Sequence, residues 1–500
     1  MTDTTLPPLI QQMQQPEFYP HAVTEPIDLI QTHVSYVLLT GDYVYKVKKP
    51  VNFGFLDFSS LEKRQNFCEE ELRLNQRGAA GLYLGVIPLT QAGEAFRLGG
   101  DGAVVEFCVK MRQFPQSALF TELFDRGDLT EELLQRLAKT LAEFHAKAEI
   151  TDEVRSYGEV EAVKLAIDEN YAQTAKYIGI AQTQQHFDET KQYTDRLFLE
   201  QADLFSQRIA DNWVRECHGD VHLRNIALWN DEILLFDCIE FNKPFRFVDV
   251  MFDAAYIVMD LDVRDRRDLS NAFLNAYVEQ TGDWAGLQVL PLYVSRQSYV
   301  RAKVTSFLLD DPSVPESVKQ EAAQTAGQYY RLAWEYTQPR QGKLILMAGL
   351  SGSGKSTVAR QFARQHGAIQ IRSDAVRKHL AGVALSAKGG DDLYTPEMTE
   401  RTYSRLLELG TNLAAQGYTV ILDAKYDRAT HRQAAIAQAQ AHQIPLQILH
   451  CTAPLEVLQA RIQQRQNDIS DVTAAIVAHQ AMEPFSAEEQ ALVQTIDTAQ

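Results

Sequence analysis

Leu344-Ile-Leu-Met-Ala-Gly-Leu-Ser-Gly-Ser-Gly-Lys-Ser356 decides the fold of the back of this chain. Leu344–Ala348 is an unbroken apolar run of strand length, and Thr357-Val-Ala-Arg-Gln-Phe-Ala363 resumes with helical spacing. Between them Gly349, Gly352 and Gly354 allow backbone amides to converge on a phosphate at the helix N-terminus. Lys355 then supplies charge for the β- and γ-phosphates, and Ser356 a hydroxyl for magnesium. This is the Walker A pattern in the strand–loop–helix context it requires. It nominates Gly349, Ser351, Gly352, Ser353, Gly354, Lys355, Ser356 and Thr357 as nucleotide contacts.

Beyond the loop, apolar strands at 368–372, 418–422 and 446–450 alternate with helical stretches at 375–380, 399–415 and 430–442. That alternation predicts a parallel α/β sheet. Arg372-Ser-Asp374-Ala-Val-Arg377 follows the second strand, so Asp374 and Arg377 should share a helix face. Asp374 can take a proton from an acceptor hydroxyl, and Arg377 can orient a phosphate or carboxylate on the same acceptor; the alternative is that Ser373 or Asp374 caps the helix. Asp423 ends an apolar strand where a carboxylate would join the magnesium shell. Arg461 and Arg465, four apart on a predicted helix, suit a lid that brings positive charge to a transferring phosphoryl group; Arg428 and Arg432 form a second such pair. The segment Ala387–Pro396 should border the acceptor site.

Upstream, Gln338-Pro-Arg-Gln-Gly342 separates a helical stretch from the Leu344 strand, which predicts domains at 1–340 and 341–500. The first domain opens with Ser35–Leu39 and Tyr43–Lys48 around Thr40-Gly-Asp42, a hairpin signature; a helical pattern follows over 59–76, and a strand at Val104–Met111. After about Leu129 the pattern is mostly helical. It is interrupted by His218-Gly-Asp-Val-His-Leu-Arg-Asn225 and by Asp237 at the end of the apolar run Ile233–Phe236. Phosphoryl transfer to a hydroxyl needs one carboxylate near the attacking oxygen, plus an amide and a second carboxylate on magnesium. Asp220, Asn225 and Asp237 provide these in that order.

Composition bounds the rest. A chain of 500 residues, 45% hydrophobic and 23% charged, is ordinary globular material for two or three domains. Net charge is −18, yet residues 343–500 carry as many Lys and Arg as Asp and Glu, so the excess lies in the first 342 residues. An acidic front half argues against a dedicated nucleic-acid binder, while a neutral back half does not exclude a nucleic-acid acceptor. No apolar run approaches the ~18–20 residues needed to span a bilayer, and the opening residues lack a secretory pattern, so a cytoplasmic protein is expected. The five cysteines lack metal-type spacing.

His218-Gly-Asp-x-His-x-x-Asn225 followed by Asp237 resembles the aminoglycoside phosphotransferase and choline kinase branch of the protein-kinase-like fold. Lys48-Lys-Pro-Val-Asn-Phe-Gly-Phe-Leu-Asp-Phe58 and Phe236-Asp-Cys-Ile-Glu-Phe-Asn242 are similar to a bacterial subgroup often joined to a second kinase domain. The resemblance implies Asp220 as catalytic base, Asn225 and Asp237 as magnesium ligands, and His222 as a loop organiser. It also implies a strand lysine on the α/β-phosphates held by a helical glutamate: Lys46, with Lys48 on the same face, and Glu71 or its neighbours Glu69 and Glu70. Glu240, Asp249 and Asp253 either contact substrate or cap helices and pair with Arg246. The back half is similar to the P-loop kinases that include the polynucleotide 5′-kinase domain, gluconate kinase-like enzymes and zeta-type toxins. The matching residues are the Walker A segment, Ser373-Asp374 with Arg377, Asp423, and Arg461/Arg465 before Ser470-Asp471.

These readings imply α/β and α+β architecture: a two-lobed protein-kinase-like domain followed by a P-loop parallel α/β sandwich. The expected activity is bifunctional ATP- and Mg2+-dependent phosphotransfer to hydroxyls of small molecules or nucleotides. Two alternatives stay open. One domain senses nucleotide and controls the other, or a toxin-like kinase is restrained by its partner domain.

Overall fold

A computed structural model of the chain describes residues 6–464, 469–470 and 480–499. The chain forms two compact units, the first from Met1–Thr130, Glu143–Ile167 and Phe198–Ile257, the second from Glu131–Ala142, Asp168–Leu197 and Val258–Gln500. In the second unit the Arg267–Thr281 helix contacts the strand and helix that follow the P-loop, where Asn271 Nδ2 donates to Ala368 O at 2.9 Å and Asn275 Oδ1 accepts from Gln370 N at 2.7 Å.

The first unit holds an antiparallel sheet of β1 (Asp28–Gln31), β2 (Ser35–Leu39), β3 (Tyr43–Lys48), β4 (Tyr83–Ala92), β5 (Ala95–Leu98) and β6 (Ala103–Arg112), in the order β1-β2-β3-β6-β4-β5. The hairpin read from Ser35–Lys48 is present, with Leu39 paired to Val44. Strand side chains alternate faces, and β3 uses that alternation. Tyr45 and Val47 enter one apolar cluster with Leu38, Leu89 and Cys108, whereas Val44 enters another with Cys68 and Ala79 of the Leu61–Ala79 helix. Lys46 and Lys48 share the face of Val44. The helix starts where Ser60 accepts a hydrogen bond from Lys63 N, and it buries the stripe Arg64, Cys68, Glu71, Asn75 and Ala79. Glu71 is therefore carried to the β3 lysines by the helical period.

The rest of the first unit is helical around two short antiparallel strand pairs. β7 (Val214–Glu216) pairs with β10 (Phe247–Asp249), and β8 (Ile226–Trp229) with β9 (Glu232–Leu235). The 218–225 segment leaves β7 and enters β8, and Asp237 leaves β9, so the candidate groups converge from neighbouring chain ends.

The second unit contains the parallel sheet expected from the alternation. β11 (Lys343–Ala348), β12 (Ile369–Arg372), β13 (Thr419–Asp423), β14 (Leu446–Thr452) and β15 (Val493–Asp497) run in the order β12-β13-β11-β14-β15, all parallel. Leu344–Ala348 are fully buried, as a central parallel strand covered on both faces requires. Burial of each Leu, Ile or Met side chain there is worth ~1.5–3 kcal/mol. β11 lies between β13 and β14, so the loop leaving it sits where crossovers diverge, the usual ligand position in open α/β sheets. Among the described residues no helix is long and apolar enough to cross a membrane.

Candidate active sites

In the first unit, Glu71 bridges both lysines. Its Oε1 accepts from Lys46 Nζ at 2.8 Å and its Oε2 from Lys48 Nζ at 2.6 Å. The question of which lysine pairs with the helix thus has the answer that both do. Glu69 and Glu70 are excluded from that role, since Glu70 binds Arg73 and Arg246 while Glu69 accepts from Gln65 on the same helix. Lys46 also reaches Asp237 Oδ1 at 2.6 Å, and Lys48 pairs with Glu240. Burial alone pulls the Lys46 ammonium down, but Asp237, Glu71 and Glu240 outweigh it and hold it well above the ordinary range. Burial likewise pushes the Glu71 and Asp237 carboxyls up, and the lysines bring both below their usual values.

The 218–225 loop is built around Asp253. Its two carboxylate oxygens accept from the amides of His218 at 2.8 Å and Gly219 at 2.9 Å, and Oδ2 also meets His145 Nε2 at 3.0 Å. Gly219 has φ +86°, and a Cβ there would lie 2.6 Å from Phe245 O, so this turn admits only glycine without a shift. The turn presents Asp220 partly exposed. Asn225 Nδ2 donates to Asp220 O at 2.9 Å and approaches Asp220 Oδ2 at 3.4 Å, which commits the amide nitrogen and leaves the oxygen as its acceptor atom. His222 Nε2 lies 3.3 Å from Asp220 Oδ2, consistent with an organising role in the loop.

Sequence reasoning missed the supports of Asp237. That residue is left-handed at φ +63°, a conformation aspartate tolerates. Its amide donates to Tyr83 Oη at 3.2 Å, and the next amide, Cys238 N, donates to Asn75 Oδ1 at 2.9 Å. Neither Tyr83 nor Asn75 carries a motif. The ion pairing of Glu240, Asp249 and Asp253 with Arg246 is corrected: Asp249 makes a bidentate pair with Arg208, both contacts at 2.7 Å, and also accepts from Met251 N at the start of a helix, while Arg246 binds Glu216 and Glu70 and reaches Glu240 only at its backbone carbonyl.

In the second unit a cavity of about 900 Å³ opens at the P-loop. Ser351, Gly352, Gly354, Lys355, Ser356 and Thr357 line it, as do Asp374, Arg377, Asp423 and Arg461. Gly349 and Ser353 lie within the loop without lining the cavity. Gly349 has φ +138°, and a Cβ there would meet Cys451 O at 2.3 Å. Ser353 Oγ is buried with no hydrogen-bond partner among the described residues. A backbone cradle closed to side chains and holding an orphaned hydroxyl fits a bound phosphate chain.

Burial pulls the Lys355 ammonium down to about 8 against the attraction of Asp423. Gln370 Nε2 donates to Asp423 Oδ2 at 2.8 Å and so orients the carboxylate; this glutamine had no sequence signal. Burial raises the Asp374 carboxyl, opposed by Arg372, Ser470 and Arg377.

Several arginines depart from expectation. Arg377 is buried, donates through Nη1 to Leu393 O at 2.8 Å and stands 5.0 Å from the Tyr394 ring centre, while its Nε has no partner among the described residues. It therefore anchors the chain around Leu393 and Tyr394, and Gly389, Gly390 and Tyr394 of the 387–396 segment line the cavity. Arg461 reaches the cavity but both terminal nitrogens bind Thr498, whose hydroxyl donates to Ser353 O of the P-loop at 2.9 Å. Arg465 and Asp471 lie outside the described residues. Arg432 is no lid residue: it is fully buried, with Glu489 at 2.7 Å. Arg428, its helix-start neighbour, does line the cavity.

Residues 344–484 match a family model described as an AAA domain. An uncharacterized protein of Mycobacterium tuberculosis (strain ATCC 25618 / H37Rv) is 32% identical over 464 residues, covering 92% of this chain and 90% of that protein. Among solved structures, the chain is similar to a choline/ethanolamine kinase family protein from Mesorhizobium loti, at 11% identity and TM-score 0.39, covering 66% of this chain and 99% of that one. It is also similar to a gluconokinase from Sinorhizobium meliloti 1021, at 21% identity and TM-score 0.24, covering 32% of this chain and 85% of that one.

Proposed function

We propose, for a chain that belongs to one family with this mycobacterial protein, that it is an ATP-dependent phosphotransferase with a separate magnesium-assisted site in each unit. What supports the reading is that each unit has a lysine suited to grip phosphates, a carboxylate suited to magnesium and a further carboxylate suited to take a proton. In the first unit these are Lys46 held by Glu71, Asp237 with the oxygen of Asn225, and Asp220. In the second they are Lys355, Asp423 with Ser356, and Asp374. We keep 1–340 and 341–500 as the two catalytic modules.

Bound MgATP supplies the transferable phosphoryl group and the charge that makes it electrophilic. The chain's own part is positioning and proton transfer. Lys46 neutralises the phosphates at the first site, and Asp220 accepts the proton of the acceptor hydroxyl. At the second site the P-loop amides and Lys355 hold the phosphates. A buried Asp374 whose carboxyl is raised by burial is a stronger base than an exposed aspartate and suited to accept a hydroxyl proton. Both acceptors are hydroxylated small molecules or nucleotides.

The test is a screen of sugars, nucleotides and hydroxylated metabolites for phosphate transfer by the full chain, repeated on Asp220→Ala and Lys355→Ala. Each substitution should abolish a different activity. One substitution silencing all transfer would sink the two-enzyme reading and favour control of one unit by the other.

A further inference from the structure

Lys48 and Glu240 form an ion pair that none of these steps uses. Both are buried: the Lys48 side chain is 1% exposed, Glu240 6%, and Glu71 between them 0%. Exposure separates the lysines, since Lys46 is 14% exposed and its other partner, Asp237, is 47% exposed. Lys46 faces the site; Lys48 does not, and its ammonium lies 4.8 Å over the Phe58 ring.

The contacts close on themselves. Asp237 binds Lys46, Lys46 binds Glu71, Glu71 binds Lys48, and Lys48 binds Glu240, which stands on the same post-β9 segment as Asp237. Two lysines of one β3 face are thus tied through a single helical carboxylate to two carboxylates of one loop. A buried ion pair is weak evidence for stability, because the desolvation of both ions opposes their attraction. What this ring does supply is geometry: it fixes the Asp237 backbone relative to Lys46 from a second anchor point.

We propose that Lys48 and Glu240 are positioning residues that act through Glu71 to hold the Asp237 loop in register with Lys46, so that Asp237 would be placed to hold magnesium when the nucleotide binds. This rests on the reading of the first unit as a phosphotransferase site. While the Asp237 carboxylate is half-exposed, the pair is buried. Its loss therefore weakens metal use while leaving the lysine grip on the phosphates in place.

The experiment uses the full chain carrying Lys355→Ala, which silences the second site, with ATP, Mg2+ and water as the acceptor. The double variant Lys48→Met/Glu240→Gln keeps volume and leaves no unpaired buried charge. It should raise the Mg2+ concentration for half-maximal ADP release by ~10–100-fold, the usual effect of removing partners that orient a metal ligand. Its affinity for metal-free ATP should stay unchanged, which a general loss of structure would not allow. Glu240→Gln alone, whose amide oxygen still accepts from Lys48, should shift the Mg2+ dependence in the same direction by less, and it decides the matter if the double variant does not fold. Unchanged Mg2+ dependence in Glu240→Gln overturns the proposal, as does a double variant that loses metal-free ATP binding in step with Mg2+. If the Lys355→Ala parent neither binds MgATP nor releases ADP, the phosphotransferase reading of the unit fails instead.

Discussion

Asp253→Ala should loosen the loop that presents Asp220 while leaving every proposed catalytic group in place. The Asp253 carboxylate accepts from two buried amides, His218 N and Gly219 N, and meets His145. Burial pushes this carboxyl up, and its contacts with His145 and His218 bring it below the usual range, so it is charged and fully used. Truncation leaves both amides unsatisfied, at about 1–3 kcal/mol each, or about 2–6 kcal/mol together before the His145 contact is counted. That is a large share of the ~5–15 kcal/mol that holds a typical domain together. With a urea dependence of ~2 kcal/mol per M, the loss moves the unfolding midpoint of the first unit down by about 1 M or more. Hydrogen exchange of the β8–β9 hairpin amides across a urea series reads that unit separately from the second. Asp253→Asn, which retains one acceptor oxygen, should fall between. A midpoint shift under about 0.2 M for Asp253→Ala would refute the claim that this carboxylate holds the loop.

Lys355 carries a pH signature. In the ligand-free fold it loses its proton near 8 rather than near the ordinary 10.5, because burial disfavours the charge. Between those values the unfolded chain binds the extra proton, so this group makes stability rise with pH across that window, and nucleotide binding, which restores the charged form, takes up a proton there. Calorimetry at about pH 8.5 in buffers of different ionisation heat should register net uptake that Lys355→Met removes; heat independent of buffer contradicts it. Gly349→Ala should weaken nucleotide binding at the second site by about 10–100-fold, because its Cβ would stand 2.3 Å from Cys451 O and the loop must move at a cost of roughly 1–3 kcal/mol. Equilibrium dialysis against labelled ATP checks this, and an unshifted affinity counts against the cradle.

The sequence was most readable where local chemistry and periodicity coincide. The apolar Leu344–Ala348 run, the glycines after it and the helical spacing beyond placed β11 and its loop, and the Ser35–Lys48 alternation placed the hairpin. β15 escaped because Val493–Asp497 is an edge strand whose exposed Gln494 and Thr495 dilute any apolar pattern. Within the sites, Asp220, Asn225 and Asp237 were legible as a spaced triplet. The supports were not, because Tyr83 and Asn75 beside Asp237, and Gln370 on Asp423 of the other unit, act through hydrogen bonds across long sequence separations. The choice between Lys46 and Lys48 was illegible for a different reason: one carboxylate with two oxygens serves both. Arg432 misled because an i,i+4 arginine pair looks alike in sequence whether it faces solvent or, as here for one member, a buried glutamate.

The number of nucleotide sites tests the account most directly. Calorimetric titration of the full chain with MgATP should give two sites per chain, one after Lys46→Met, one after Lys355→Ala, and none in the double variant. A single site in the unmodified chain, or one substitution that removes all binding, would contradict two independent phosphate-handling centres.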